Sequence, residues 1–80
     1  MMTYTVYEND KPAVMAPKTF KCWEKATFDT KREAEVYAYL WCYPVVKSVA
    51  ERDAPEMEIG KKYDYGMYEV GVWMHIEEDR

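Results

Sequence analysis

His75 is the single histidine of the chain, Cys22 and Cys42 are its two cysteines, and Ser48 is its lone serine. Acyl transfer would ask one of these thiols or the hydroxyl to act as nucleophile beside the imidazole as base. The one pair that neighbouring strands would bring together is Cys22 with His75, and strand alternation sends the two to opposite faces of a sheet. Cys22 and Cys42 lie twenty residues apart without Cys-x-x-Cys spacing, so they read as reduced, unpaired thiols packed as small apolar groups. The acids are scattered, and with one histidine they give none of the tight spacings that hold zinc or calcium. Gly60, Gly66 and Gly71 are too far apart for a phosphate-cradling loop. The expectation is a protein that is not an enzyme and carries no cofactor and no metal.

The side chains that stand out are aromatic. Tyr7, Trp23 and Trp73 fall on the polar side of alternating segments, among Lys21, Lys25, Glu69, His75 and Glu77. Tyr63, Tyr65 and Tyr68 crowd the segment "KKYDYGMYE" beside Asp64 and Glu69, where they serve either as loop contacts or as caps on the end of the core. Large rings rimmed by polar groups are enriched at protein interfaces and their hot spots, and tyrosines in loops give contact area at low entropic cost. The expected partner-binding set is therefore Tyr7, Trp23, Tyr63, Tyr65, Glu69, Trp73, His75 and Glu77.

These residues must be positioned by a small scaffold. Eighty residues, 49% hydrophobic and 32% charged, suit one globular domain of residues 1–80 with a modest core. "YTVYE", Tyr4 to Glu8, alternates and runs into the turn-like "NDKP", giving a first strand with Tyr4 and Val6 inward and Thr5 and Tyr7 outward. Two prolines bracket "PAVMAP", which reads as a loop or an irregular edge. "FKCWEKATF", Phe20 to Phe28, alternates as a second strand. "TKRE" at Thr30 to Glu33 fits a capping box for an amphipathic helix over about 30–43, ended by Pro44. Its buried stripe is Val36, Tyr37, Leu40 and Trp41, with Arg32, Glu35 and Tyr39 outward.

The segment 44–53 suits a short second helix by spacing, although its β-branched residues also suit a strand. "MEIGKKYDYG" reads as a short strand and then a turn at Gly66, leading into a terminal strand with Tyr68, Val70, Val72, Met74 and Ile76 on one face. The fold class is α+β: a small antiparallel sheet of three to four strands with one main helix on one face. Tyr4, Val6, Phe20, Phe28, Val70, Val72 and Ile76 are expected to meet Val36, Leu40 and Trp41 in the core. The other face carries Tyr7, Trp23 and Trp73. Either it stays open, or the segment from Pro44 to Pro55 or the "PAVMAP" loop folds across it.

The net charge is −4. Residues 1–40 carry six Lys/Arg against six Asp/Glu, and residues 41–80 carry five against nine, so the excess lies in the second half. Without a basic footprint, direct nucleic-acid binding is not expected. No apolar run approaches the ~20 residues of a membrane-spanning helix. The start "MMTYTVYEND" lacks the basic-then-apolar order of a signal peptide, so the expected location is cytoplasmic.

The start "MMTYTVYEND", the strand-to-capped-helix unit "FDTKREAEVYAYL", the aromatic and acidic second half and the lack of a catalytic set resemble the small acidic proteins with which bacteriophages disable host enzymes or host defences, including the anti-CRISPR and anti-restriction families. That resemblance implies a protein-binding inhibitor or adaptor that occludes a site on a larger host or defence protein in the host cytoplasm. In one variant Glu56, Glu58, Asp64, Glu69, Glu77, Glu78 and Asp79 stand in for the phosphates of a nucleic acid. The alternative is a self-assembling structural or accessory subunit that buries its aromatic sheet face in a homodimer.

Overall fold

The computed structural model describes residues 2–13, 26–65 and 72–80. In chain order the elements are β1 (Thr3–Glu8), β2 (Lys11–Pro12), β3 (Thr27–Phe28), α1 (Lys31–Cys42), α2 (Lys47–Asp53), β4 (Tyr63–Asp64) and β5 (Trp73–Asp79). The fold is α+β, and its sheet is antiparallel throughout, in the order β2-β1-β5-β4, with β3 also pairing β1. The centre is the long ladder between β1 and β5, which runs from Thr3 opposite Asp79 to Glu8 opposite Met74.

β1 turns into β2 through Asn9 and Asp10, both at positive φ (49° and 67°). A two-residue hairpin loop with two left-handed residues matches the twist of its strands, and Asn and Asp tolerate that region better than other side chains do. Pro12 costs nothing in β2 because an edge strand needs no outward N–H. Of the strand expected over Phe20 to Phe28, the described part is β3; Phe20, Cys22 and Trp23 lie outside the described residues. In the segment 57–65 the expected strand at Met57 is replaced by a turn and then a strand, and the turn expected at Gly66 lies outside the described residues. The turn comes first, at Gly60 (φ +81°), and the strand β4 follows. Met57 is fully buried core and not part of a strand. Gly60 takes the left-handed conformation with no neighbour within 4 Å of a would-be Cβ, and its N–H donates to the Ile76 carbonyl at 2.8 Å, so the turn hooks onto β5.

α1 begins where "TKRE" places it. Thr30 Oγ1 accepts from the Glu33 N–H (3.1 Å), and the same hydroxyl donates to the Glu33 carboxylate (2.9 Å). The helix is buried on two sides and not along one stripe. Ala34, Tyr37 and Ala38 face the sheet and meet Val6, Phe28, Met74 and Ile76, with Tyr4, Trp41 and Val72 at the margin. Val36 and Leu40 point away from the sheet and form a second cluster with Ala50 and Ala54, the contacts of α2. The fully buried Ala34 and Ala38 leave room for the helix to lie close to the strands. Alanines contribute little to a hydropathy pattern, which is why the sheet-facing stripe was assigned to the larger side chains.

Glu35 was expected to look outward, and it is only 3% exposed. One carboxylate oxygen accepts the backbone N–H of Met57 (3.0 Å) and the other accepts from Arg32 (3.0 Å), while Lys31 Nζ approaches at 3.3 Å. Burial alone would raise its pKa. The Met57 N–H, the Arg32 guanidinium and the Lys31 ammonium outweigh burial and hold it below the usual carboxylate range. Glu35 thus ties the segment after α2 to α1. Arg32 completes the tie with bonds to the carbonyls of Ala54 (2.9 Å) and Glu51 (2.8 Å).

Candidate functional site: the sheet face opposite the main helix

Residues directly opposite in an antiparallel ladder point to the same side of the sheet. The register sets Tyr7 against His75, Thr5 against Glu77, Thr3 against Asp79 and Asp64 against Trp73, all on the side away from α1. α2 does not cover this face, because its buried residue Ala50 is spent on the outer side of α1. The expectation that the segment from Pro44 to Pro55 folds across the rings is therefore corrected. "PAVMAP" from Val14 onward lies outside the described residues.

The face is better knit than an open patch. The rings of Tyr7 and His75 stack, with centroids 4.9 Å apart and planes at 13°. His75 Nε2 lies 2.9 Å from the Glu77 carboxylate. The Thr5 hydroxyl donates to Asp79 Oδ2 at 2.6 Å and lies 3.0 Å from the Thr27 hydroxyl. His75, expected as an exposed rim residue, is only 4% exposed; it stacks on Tyr7 and pairs with Glu77. Its Nδ1 is buried without a hydrogen-bond partner. The Tyr7 hydroxyl titrates above its ordinary range, first because of burial and then because the negative charges of Glu77 and Asp79 face it.

Trp73 differs from its neighbours. Its backbone is fixed, since its N–H donates to Asn9 Oδ1 (2.9 Å) and its carbonyl accepts from the Asn9 N–H (3.0 Å). Its side chain is nevertheless 38% exposed, one of four large apolar side chains so placed among the described residues, with Met2, Val46 and Ile59. An anchored backbone carrying a half-free indole is costly to leave wet and inexpensive to bind with.

The remaining expected contact residues fall elsewhere. Tyr63 pairs with the core-facing Met74 and so packs towards the main core, its hydroxyl accepting from the Glu58 N–H at 2.9 Å. Tyr65 is buried in that core, 6.0 Å from the Tyr43 ring. Both are corrected from loop contacts to packing residues, because β4 alternation and the bond from the Tyr65 N–H to the Val72 carbonyl turn them inward. Trp23 and Glu69 lie outside the described residues, as do Lys21, Lys25 and Tyr68. The face thus unites Tyr7, Trp73, His75 and Glu77 of the expected set. It adds Thr5, read from the sequence only as outward like Tyr7, and Asp79, named there only among the acids of the phosphate-mimic variant; the clue that joins them to the site is that both share the parity of Tyr7 and His75 on their strands.

A cleft of about 400 Å³ lies on the other side of the molecule, lined by Phe28, Arg32, Glu33, Val36, Lys47 and Glu51. Its guanidinium is already committed to Glu35 and two carbonyls, so it acts as a clamp between helices. Cys42 is a free thiol, and burial first, then the charge of Glu8, push its pKa up to about 12, which leaves it unreactive at neutral pH. Among the described residues no group of three or more His, Cys, Asp or Glu is placed to hold a metal ion, and no helix is long and apolar enough to cross a membrane. A scan against protein-family models gives no match, and searches of curated proteins and of solved structures give none either.

Proposed function

We propose that this chain is a non-enzymatic protein-binding inhibitor or adaptor that works by covering a site on a larger protein, and that the face of Tyr7, Trp73, His75 and Glu77 makes the contact. The observation that carries the reading is the indole of Trp73, 38% exposed on a rigid backbone beside a stacked aromatic pair and an acidic rim. Occlusion asks for shape and charge complementarity and no chemistry, since a ligand that prefers one state of its target shifts the target towards that state. The resemblance to small acidic phage proteins supports a host or defence protein as the target, in the host cytoplasm.

Self-assembly through the same face is less favoured on electrostatic grounds. A two-fold dimer sets one patch against its own copy. A two-fold axis passing near Glu77 and Asp79 would crowd the carboxylates of two chains, which is repulsive without intervening cations.

The test is Trp73→Gln. The part of the ring that is buried makes the expected stability loss about 1–2 kcal/mol, short of the ~3–5 kcal/mol of a fully buried ring. Binding should lose about 2 kcal/mol or more, as for a hot-spot aromatic. The wild type and the variant, immobilised side by side, are exposed to lysate of the natural host and also examined by sedimentation. A species held by the wild type and lost by the folded variant supports the reading. A species retained equally by both removes Trp73 from the contact, and a wild-type dimer that the variant turns into a monomer replaces the reading with self-assembly.

A further inference from the structure

The chemistry of the face specifies what it binds. Glu77 and Asp79 are two apart on β5 and project from the same side, about 7 Å from each other along the strand. Each has a hydrogen-bond neighbour on the sheet, Glu77 the His75 ring and Asp79 the Thr5 hydroxyl. Neither is ion-paired with a lysine or arginine among the described residues. Both charges act on the Tyr7 hydroxyl.

A second observation comes from the imidazole. A carboxylate only accepts hydrogen bonds, so in neutral His75 the proton sits on Nε2, which donates to Glu77. Nδ1 is then an acceptor, and it is buried with nothing to accept. Native chains rarely leave such an atom unmet. The face therefore presents two carboxylates beside a stacked ring pair, and that pair holds a third, buried acceptor in Nδ1. Nδ1 is covered in the free chain, so a donor reaches it only with a turn of the imidazole or of the rings beside it.

We infer that this face is an acceptor site for an arginine side chain of the partner, with the guanidinium lying on the Tyr7 ring and forked by Glu77 and Asp79. The inference rests on the reading of this face as the contact surface and names the group it takes. A guanidinium is planar, offers five donors and no acceptor, and stacks on rings. It therefore meets acceptors and aromatic surface at once. An ammonium, a compact and strongly hydrated charge, answers the carboxylates and leaves the rings and the fork geometry unused.

The probes are an acetylated, amidated Gly-Arg-Gly-Arg-Gly peptide and its citrulline and lysine counterparts, titrated into ¹⁵N-labelled protein. The arginine peptide should shift the amides of Tyr7, His75, Glu77 and Asp79. The citrulline peptide should shift none of them, and the lysine peptide should bind about tenfold more weakly. Glu77→Gln and Asp79→Asn keep an acceptor oxygen for His75 and Thr5, and each should weaken the arginine peptide about fivefold or more with the melting temperature little changed. Glu56→Gln and Glu58→Gln, off this face, should leave it unaltered.

Equal binding of the lysine peptide, or equal weakening by the off-face variants, reduces the site to general acidity and overturns the inference. Absence of any shift also overturns it. The two readings separate cleanly. If Trp73→Gln releases a captured partner while the peptides do not bind, the contact face stands and the arginine assignment falls. If the peptides bind through Glu77 and Asp79 while the partner ignores Trp73→Gln, the site stands and the proposed contact falls.

Discussion

Replacing Glu35 tests whether a buried carboxylate joins the two halves of the helical layer. In Glu35→Ala the Met57 N–H, on a residue with no exposure, loses its acceptor, which costs about 1–3 kcal/mol. The pairs to Lys31 and Arg32 involve side chains 31% and 46% exposed, and screening limits each to about 0.5 kcal/mol. Arg32 keeps its two carbonyl partners, so no cation is stranded. The expected total is about 2–4 kcal/mol, a serious loss for a domain of this size. Glu35→Gln retains an oxygen for Met57 and loses only the charge, so about 1 kcal/mol is expected.

The pH dependence carries the sign. The folded pKa of Glu35 is depressed, so the charge stabilises the fold above the usual glutamate value of about 4.3. That contribution is lost as pH falls through the lower folded value. The gap between wild type and Glu35→Gln should be full at pH 7 and close below about pH 4, read from urea midpoints at constant slope. An alanine variant within about 0.5 kcal/mol of wild type would refute the tie, because that is the range of ordinary surface changes. A glutamine variant as damaging as alanine, or a gap that ignores pH, would refute the role of the charge.

Thr30→Ala removes the hydroxyl that both accepts from and donates to Glu33, and should lower stability by about 1 kcal/mol in the same urea assay; an unchanged midpoint would place the helix start elsewhere. A thiol-reactive disulfide reagent should find two free thiols in the denatured, unreduced chain, and in the folded chain near pH 8 Cys42 should react far more slowly than it does when unfolded. Equal rates in the two states would contradict the raised thiol pKa.

What the sequence made legible follows from which signals are local. The "TKRE" cap, the alternation in "YTVYE" and the turn at Asn9 and Asp10 each depend on a few adjacent residues, and each sits where its pattern puts it. The second helix was read from spacing alone and occupies Lys47–Asp53. What was not legible depends on partners distant in sequence. Glu35 looks like a solvent-facing helix residue until the Met57 N–H, 22 positions away, arrives beside it. His75 reads as a wet strand position until the register brings Tyr7 over its ring. Tyr63 and Tyr65 looked like loop contacts because "KKYDYG" reads as irregular chain, whereas Tyr63 lies in β4 and the Tyr65 N–H is tied to the Val72 carbonyl. Of the candidate face, the aromatic and acidic residues were visible by type and parity, but their stacking and hydrogen bonds were not.

The ladder between β1 and β5 also sets a timetable. Val6 pairs with Ile76 across seventy positions of chain, whereas the β1–β2 hairpin and α1 close over a few residues each. The hairpin and the capped helix can flicker into being within microseconds, but the strand that unites them must be recruited from the far end, against the entropy of a very long loop. Met74 and Ile76, both fully buried, reach the interior only with that recruitment. Topology of this kind slows folding at a given stability. Until β5 arrives, the inner edge of β1 is unclaimed, and a nascent chain on the ribosome holds half a sheet waiting for its last strand.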